Sequence, residues 1–151
     1  MSEHHPPVFR RAVLGLIGGP SDDRIVRLAC ALARASKAEL IGVHVVEIDW
    51  TLPLDADVAG RSEVAQRVLD LAEESAEDAG YRIQPVLLQA RDVGAALVDE
   101  ALERQADLLI LGLAYRTQFG GDFAIGRAIP YALQNAACAV WVVREPIEVH
   151  G

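Results

Sequence analysis

Short, wholly apolar runs alternate along this chain with longer segments in which apolar residues recur at helical spacing. The run Ala12-Val13-Leu14-Gly15-Leu16-Ile17 has no polar face, the pattern of a strand buried on both sides. Glycines and a proline follow. Ser21 or Asp22 can then cap a helix that places Ile25, Leu28, Ala29, Leu32 and Ala33 on one face. Leu40 to Val46 repeats the buried-strand pattern, and residues 48–60, with Pro53 and several aspartates, read as a long loop. From Ser62, the positions Val64, Val68, Leu71, Ala72 and Ser75 predict a second amphipathic helix, its outer face carrying Glu73, Glu74, Glu77 and Asp78. That acidic run reads as a solvated face. Residues 81–88 predict a third strand, less uniformly apolar and so suited to a sheet edge. Asp92 caps a helix through Val93, Leu97, Ala101 and Leu102. Leu108 to Leu111 predicts the fourth strand, residues 126–136 the fourth helix with Ile129, Ala132, Leu133 and Ala136 inward, and Ala139 to Val143 the fifth strand.

Strands alternating with helices in this way predict a single doubly wound α/β domain: a five-stranded parallel sheet, Rossmann-like, with helices on both faces. The expected division is an arm over residues 1–10, the domain over 11–145 and a tail over 146–151. Such sheets bind ligands beyond the carboxyl ends of their strands, where the winding reverses. If strands one and four flank that point, the turn with Gly18 and Gly19 faces the loop 113–125, which holds Gly120 and Gly121 and leads to Gly126 at a helix start. A glycine-bearing loop that enters a helix offers backbone N–H groups and a positive helix end to an anion.

Composition narrows the classes. At 52% hydrophobic and 24% charged residues the chain can build an ordinary core. With 22 acidic against 14 basic side chains, net charge −8 and pI near 4.9, its surface repels phosphate backbones, so nucleic acid is excluded as the expected partner. No run approaches the roughly 20 apolar residues of a membrane span, and the first residues lack the apolar stretch of a signal sequence. The expectation is a cytoplasmic protein without membrane insertion. Cys30 and Cys138, far apart and outside any Cys-x-x-Cys, read as reduced core residues.

No residue pattern demands catalysis. Of the histidines, His44 alone falls on a predicted buried strand, where one satisfied hydrogen bond is expected. His4-His5 could bind adventitious metal, but no Cys/His/carboxylate spacing forms a metal site. The glycine spacing of residues 121–128 imitates a P-loop, yet Arg127 stands for its lysine and Ala128 for its hydroxyl residue, and Asp122 would repel phosphate. The reading is therefore a helix-entry loop. Trp141 in the last strand and Trp50 in the long loop are suited to a partner surface or to the core. Antiparallel pairing of two copies through residues 139–144 would remove a free edge, so a homodimer on the last strand is expected.

Taken together, Val13-Leu14-Gly15-Leu16-Ile17-Gly18-Gly19, the Leu40 to Val46 strand with His44, Ala106 to Gly112, and Ala137-Cys138-Ala139-Val140-Trp141-Val142-Val143 resemble the landmarks of the universal stress protein family. The resemblance runs from about Arg11 to Arg144. It implies a five-stranded α/β domain, dimerisation through the last strand, and membership of a family divided into ATP binders and non-binders. The binders' loop has the form Gly-x-x-Gly, nine residues, then Gly-Ser or Gly-Thr. Gly112 matches its first glycine, but Tyr115 occupies the second position, residues 116–125 exceed the spacing by one, and Arg127 replaces the hydroxyl residue. The aspartate that binders tend to carry after the first strand is Gly18 here, with Asp22 or Asp23 as the available substitutes. Arg116 and Arg127 could supply charge to a phosphate. By the same resemblance, Val45, after the strand-two histidine, would face a base.

Two expectations follow. The first is a non-catalytic, cytoplasmic universal stress protein-like regulatory domain that acts as a dimer with an unknown protein partner, a transporter being one candidate, and binds nucleotide weakly or not at all. The second is an adenine nucleotide binder, taking ATP or AMP with magnesium and hydrolysing slowly if at all. Its ligand would be held by Gly18, Gly19, Val45, Gly112, Arg116, Gly120, Gly121, Gly126 and Arg127. A flavodoxin-like electron carrier fits less well, since the first loop lacks a hydroxyl-rich cradle and only Trp50 and Tyr115 could stack on a flavin.

Overall fold

The structure is a computed structural model that describes residues 7–56, 60–116, 122–124 and 127–144, with backbone alone at 114–116 and 122–124. Its elements in chain order are β1 (Arg11–Leu16), α1 (Ser21–Ala33), β2 (Glu39–Glu47), α2 (Arg61–Asp78), β3 (Gln84–Ala90), α3 (Val93–Glu103), β4 (Leu108–Arg116), β5 (Asp122–Ala124), α4 (Ala128–Asn135) and β6 (Ala139–Arg144). Five strands form a parallel sheet in the order β3-β2-β1-β4-β6. The predicted doubly wound sheet is therefore the observed one, with β3 at one edge and β6 at the other.

The alternation of side chains along each strand divides the interior into two layers. Ala12, Leu14, Leu16, Leu108 and Ile110 point to the face covered by α1 and α2, where they meet Ile25, Val26, Val68 and Leu69. Val13, Ile41, Val43, Leu109 and Leu111 point to the other face and meet Leu97, Val98, Ala101, Ile129 and Ala132 of α3 and α4. Both sides of β1 from Ala12 to Leu16 and of β4 from Leu108 to Leu111 are thus dry, which is why these stretches carry no polar alternation. Phe9, just ahead of β1, is also buried and meets Trp141 edge-on, with ring centroids 6.1 Å apart and planes at 85°. Asp107 fixes the entry to both central strands by accepting from the N–H groups of Arg10 and Arg11.

Three sequence expectations are corrected. The region expected to be loop from residue 113 onward continues as β4 to Arg116 and folds back on β5, with Ala114 opposite Ala124 and Arg116 opposite Asp122. The third strand begins at Gln84 rather than Tyr81, because Tyr81 is drawn inward, its hydroxyl donating to the Ala38 carbonyl. The helix faces are rotated. Leu28, Val64, Leu71, Leu102 and Leu133, expected inward, are exposed, while Val26, Cys30, Ala65, Leu69, Ala76 and Val98 are buried.

Candidate functional site

The winding reverses between β1 and β4: α1 leaves β1 toward one face, and the chain returns to β4 from α3 on the other. The start of α1 and the end of β4 therefore meet at the carboxyl edge of the sheet, Ser21 lying against Gly112, while Gly120 and Gly121, expected to face the turn, lie outside the described residues. Gly18 has φ +89°, a backbone state open to glycine and strained for L side chains, so an aspartate here would cost strain. Asp22 supplies the carboxylate instead. Its Oδ1 accepts from the Ile17 N–H at 3.0 Å and its Oδ2 from the Gly18 N–H at 2.8 Å. Asp22 is thus no ordinary helix cap; the N-cap position of α1 is Pro20, without a side-chain bond. Burial pushes the Asp22 carboxyl above its usual range, against the opposing pull of those two N–H groups and of His44.

His44 stands opposite Leu16 in the β1–β2 ladder, and its Nδ1 lies 2.7 Å from the Leu16 carbonyl. The single hydrogen bond expected of it is present, and it ties the ends of β1 and β2 together. Two adjoining grooves run along this edge and share Val64. One, of about 570 Å³, lies between Gly18, Gly19, Asp22 and the facing sides of α1 and α2; the other, of about 470 Å³, is bounded by His44, Val45, Glu47, Asp49 and Arg61. Carboxylates outnumber guanidinium groups along them. A groove of about 660 Å³ near Glu73, Tyr81 and Arg82 is larger but opens at the amino end of β3, beside the turn that ends α2 and away from the carboxyl ends of the strands.

The remaining candidates separate. Gly112 lies at the crevice, but its missing side chain is a packing requirement: a Cβ there would come within 2.6 Å of Ile25 Cδ1 and 3.0 Å of Ser21 Oγ. Val45 is buried toward the α3 layer and reaches the second groove. Arg127 is exposed at the N-cap position of α4 and caps nothing with its side chain. Arg116 belongs to β4 by its backbone, while Gly120, Gly121 and Gly126 lie outside the described residues. Tyr115 pairs with Phe123 as an ordinary strand residue. Ser21, expected as a candidate cap, is instead the first residue of α1. It is 2% exposed, and its Oγ is buried with no hydrogen-bond partner.

Comparison with known proteins matches residues 9–144 to the profile of the universal stress protein family. Among curated proteins, the chain is 32% identical over 136 residues to the sensor protein KdpD of Mycobacterium tuberculosis, covering 90% of this chain. It spans only 14% of that protein's length. Among solved structures, a universal stress protein in complex with cAMP superposes with TM-score 0.63 at 24% identity, covering 90% of this chain and 97% of the other. The universal stress protein from Archaeoglobus fulgidus in complex with dAMP superposes with TM-score 0.69 at 18% identity, covering 89% and 98%. Strand order, crevice and sequence profile thus converge, and the chain belongs to the universal stress protein family.

Proposed function

We propose that this chain is a non-catalytic regulatory domain that binds an adenosine monophosphate-class nucleotide in the crevice at the carboxyl ends of β1, β2 and β4. The observation that carries this reading is the pair of grooves that adjoin at Val64, one beside the Gly18–Asp22 turn and the other at His44 and Val45, at the topological position where such sheets take nucleotides. Its solved relatives are described with cAMP and dAMP bound. The acidic lining, with Asp22, Asp23, Glu74 and Asp78 against Arg27 and Arg67, repels one phosphate less than a magnesium-free chain of three. Regulation rather than chemistry suits a site in which the Asp22 oxygens and His44 Nδ1 serve to fix the turn and the strand ends.

Arg127 and Arg116 would meet the phosphate, with Gly120, Gly121 and Gly126 giving its backbone room. The domain would act in the cytoplasm, dimerise through β6, and pass its state to a protein partner such as a sensor or transporter. Similarity to part of a sensor protein supports that role. Calorimetric titration with AMP, cAMP and ATP, with and without magnesium, tests the reading. Micromolar binding of the monophosphates, weakened in Arg127→Ala, is expected. No heat and no thermal shift at millimolar nucleotide would overturn it and favour a domain that works through its protein partner alone.

A further inference from the structure

Ser21 is the first residue of α1, a helix of 13 residues, and its Oγ faces the end of β4, 3.0 Å from where a Cβ on Gly112 would lie. It is the sole buried side-chain polar atom among the described residues without a hydrogen-bond partner. Hydroxyl groups sealed from water almost always find a partner, because leaving one unpaired costs the full desolvation of the group. The neighbouring donors are occupied. Asp22 takes the N–H groups of Ile17 and Gly18, and the Asp22 N–H itself goes to the Gly19 carbonyl. Ser21 alone is left over, at the positive end of a helix and on the β4 side of the crevice.

We infer that Ser21 is a specificity-determining residue of this site: its hydroxyl donates to a phosphate oxygen of the bound nucleoside monophosphate. It would thereby replace, from α1, the hydroxyl that Arg127 displaces at the start of α4. This inference rests on the function proposed above and adds the residue that reads the phosphate. Entry requires the turn over Ser21 to give way, and Gly18, at φ +89°, with Gly19 beside it, supplies a turn able to do so.

Titrating wild type and Ser21→Ala with AMP and with adenosine, alongside thermal melts of the ligand-free proteins, tests the assignment. AMP affinity should fall about tenfold in the variant, as for a lost hydrogen bond to a charged group, while adenosine affinity stays the same. The ligand-free variant should melt no lower than wild type, since the deleted hydroxyl had no internal partner. Unchanged AMP binding by the variant would overturn the role of Ser21 and leave the proposed nucleotide site standing. Equal losses for AMP and adenosine, or a ligand-free variant melting several degrees lower, would also overturn it. Failure of wild type to bind AMP would overturn both.

Discussion

At the scale of single residues, the crevice is built from the glycines Gly18 and Gly112 and the buried polar side chains Ser21 and Asp22. Gly112 is where α1 touches β4. Gly112→Ala would force its new methyl to within 2.6 Å of the fully buried Ile25, so a loss of about 1–3 kcal/mol is expected from overpacking. Chemical denaturation of the variant reads that loss directly. Asp22 and Asp23 answer acid in opposite directions. Burial raises the Asp22 carboxyl above its ordinary 3.8; its contribution to stability is therefore full below that value and is lost as pH rises through the raised one. The Asp23 carboxyl is held below 3.8, first by the Ser75 hydroxyl and then by Arg27; its contribution is present above 3.8 and is lost as pH falls through the lowered value. Asp22→Asn should therefore lose stability relative to wild type as pH falls from neutrality toward 4, and Asp23→Asn should gain relative to it below that. Thermal midpoints across this range check both signs. Ser75→Ala should let the Asp23 carboxyl rise, as followed by its NMR titration.

At the scale of elements, periodicity located every helix and all five parallel strands, because a helix or strand half buried against a sheet must repeat its apolar residues at its own period. Asp92 shows how local such signals are: its side chain accepts from the Ala95 N–H at 3.0 Å, the cap expected from the residue type alone. Asp92→Ala should cost about 1 kcal/mol, read as a drop in melting temperature of a few degrees. The faces of α1, α2 and α3 were less legible. Leu28, Leu71 and Leu102 match a helical face as well as Val26, Leu69 and Val98 do, yet only the second set is buried. The choice between adjacent stripes depends on where the sheet lies beneath, which no single helix records. The extension of β4 and its pairing with β5 were equally hidden, since Tyr115-Arg116 and Asp122-Phe123 carry polar residues that read as loop until they find each other.

At the scale of the molecule, the sheet leaves β3 and β6 as edges. β3 carries Pro85 and polar residues, devices that discourage further pairing. β6 is apolar from Ala139 to Val143, and Val142 is 38% exposed; its free side is the proposed dimer surface. Sedimentation at micromolar concentration should give a dimer mass for wild type and a monomer mass for Val142→Lys, and a monomeric wild type would remove that proposal. The sequence by itself determined the doubly wound class, the family and the region of the crevice, because buried strands, helix periods and glycine turns are written in neighbouring residues. Only the tertiary structure decided what the crevice is made of. It brought the Asp22 carboxylate back to Gly18, made Gly112 a packing glycine, and left the Ser21 hydroxyl buried without a partner. Those facts arise from strands far apart in the chain meeting at one edge, and hydrogen bonding and close packing are settled by what meets there.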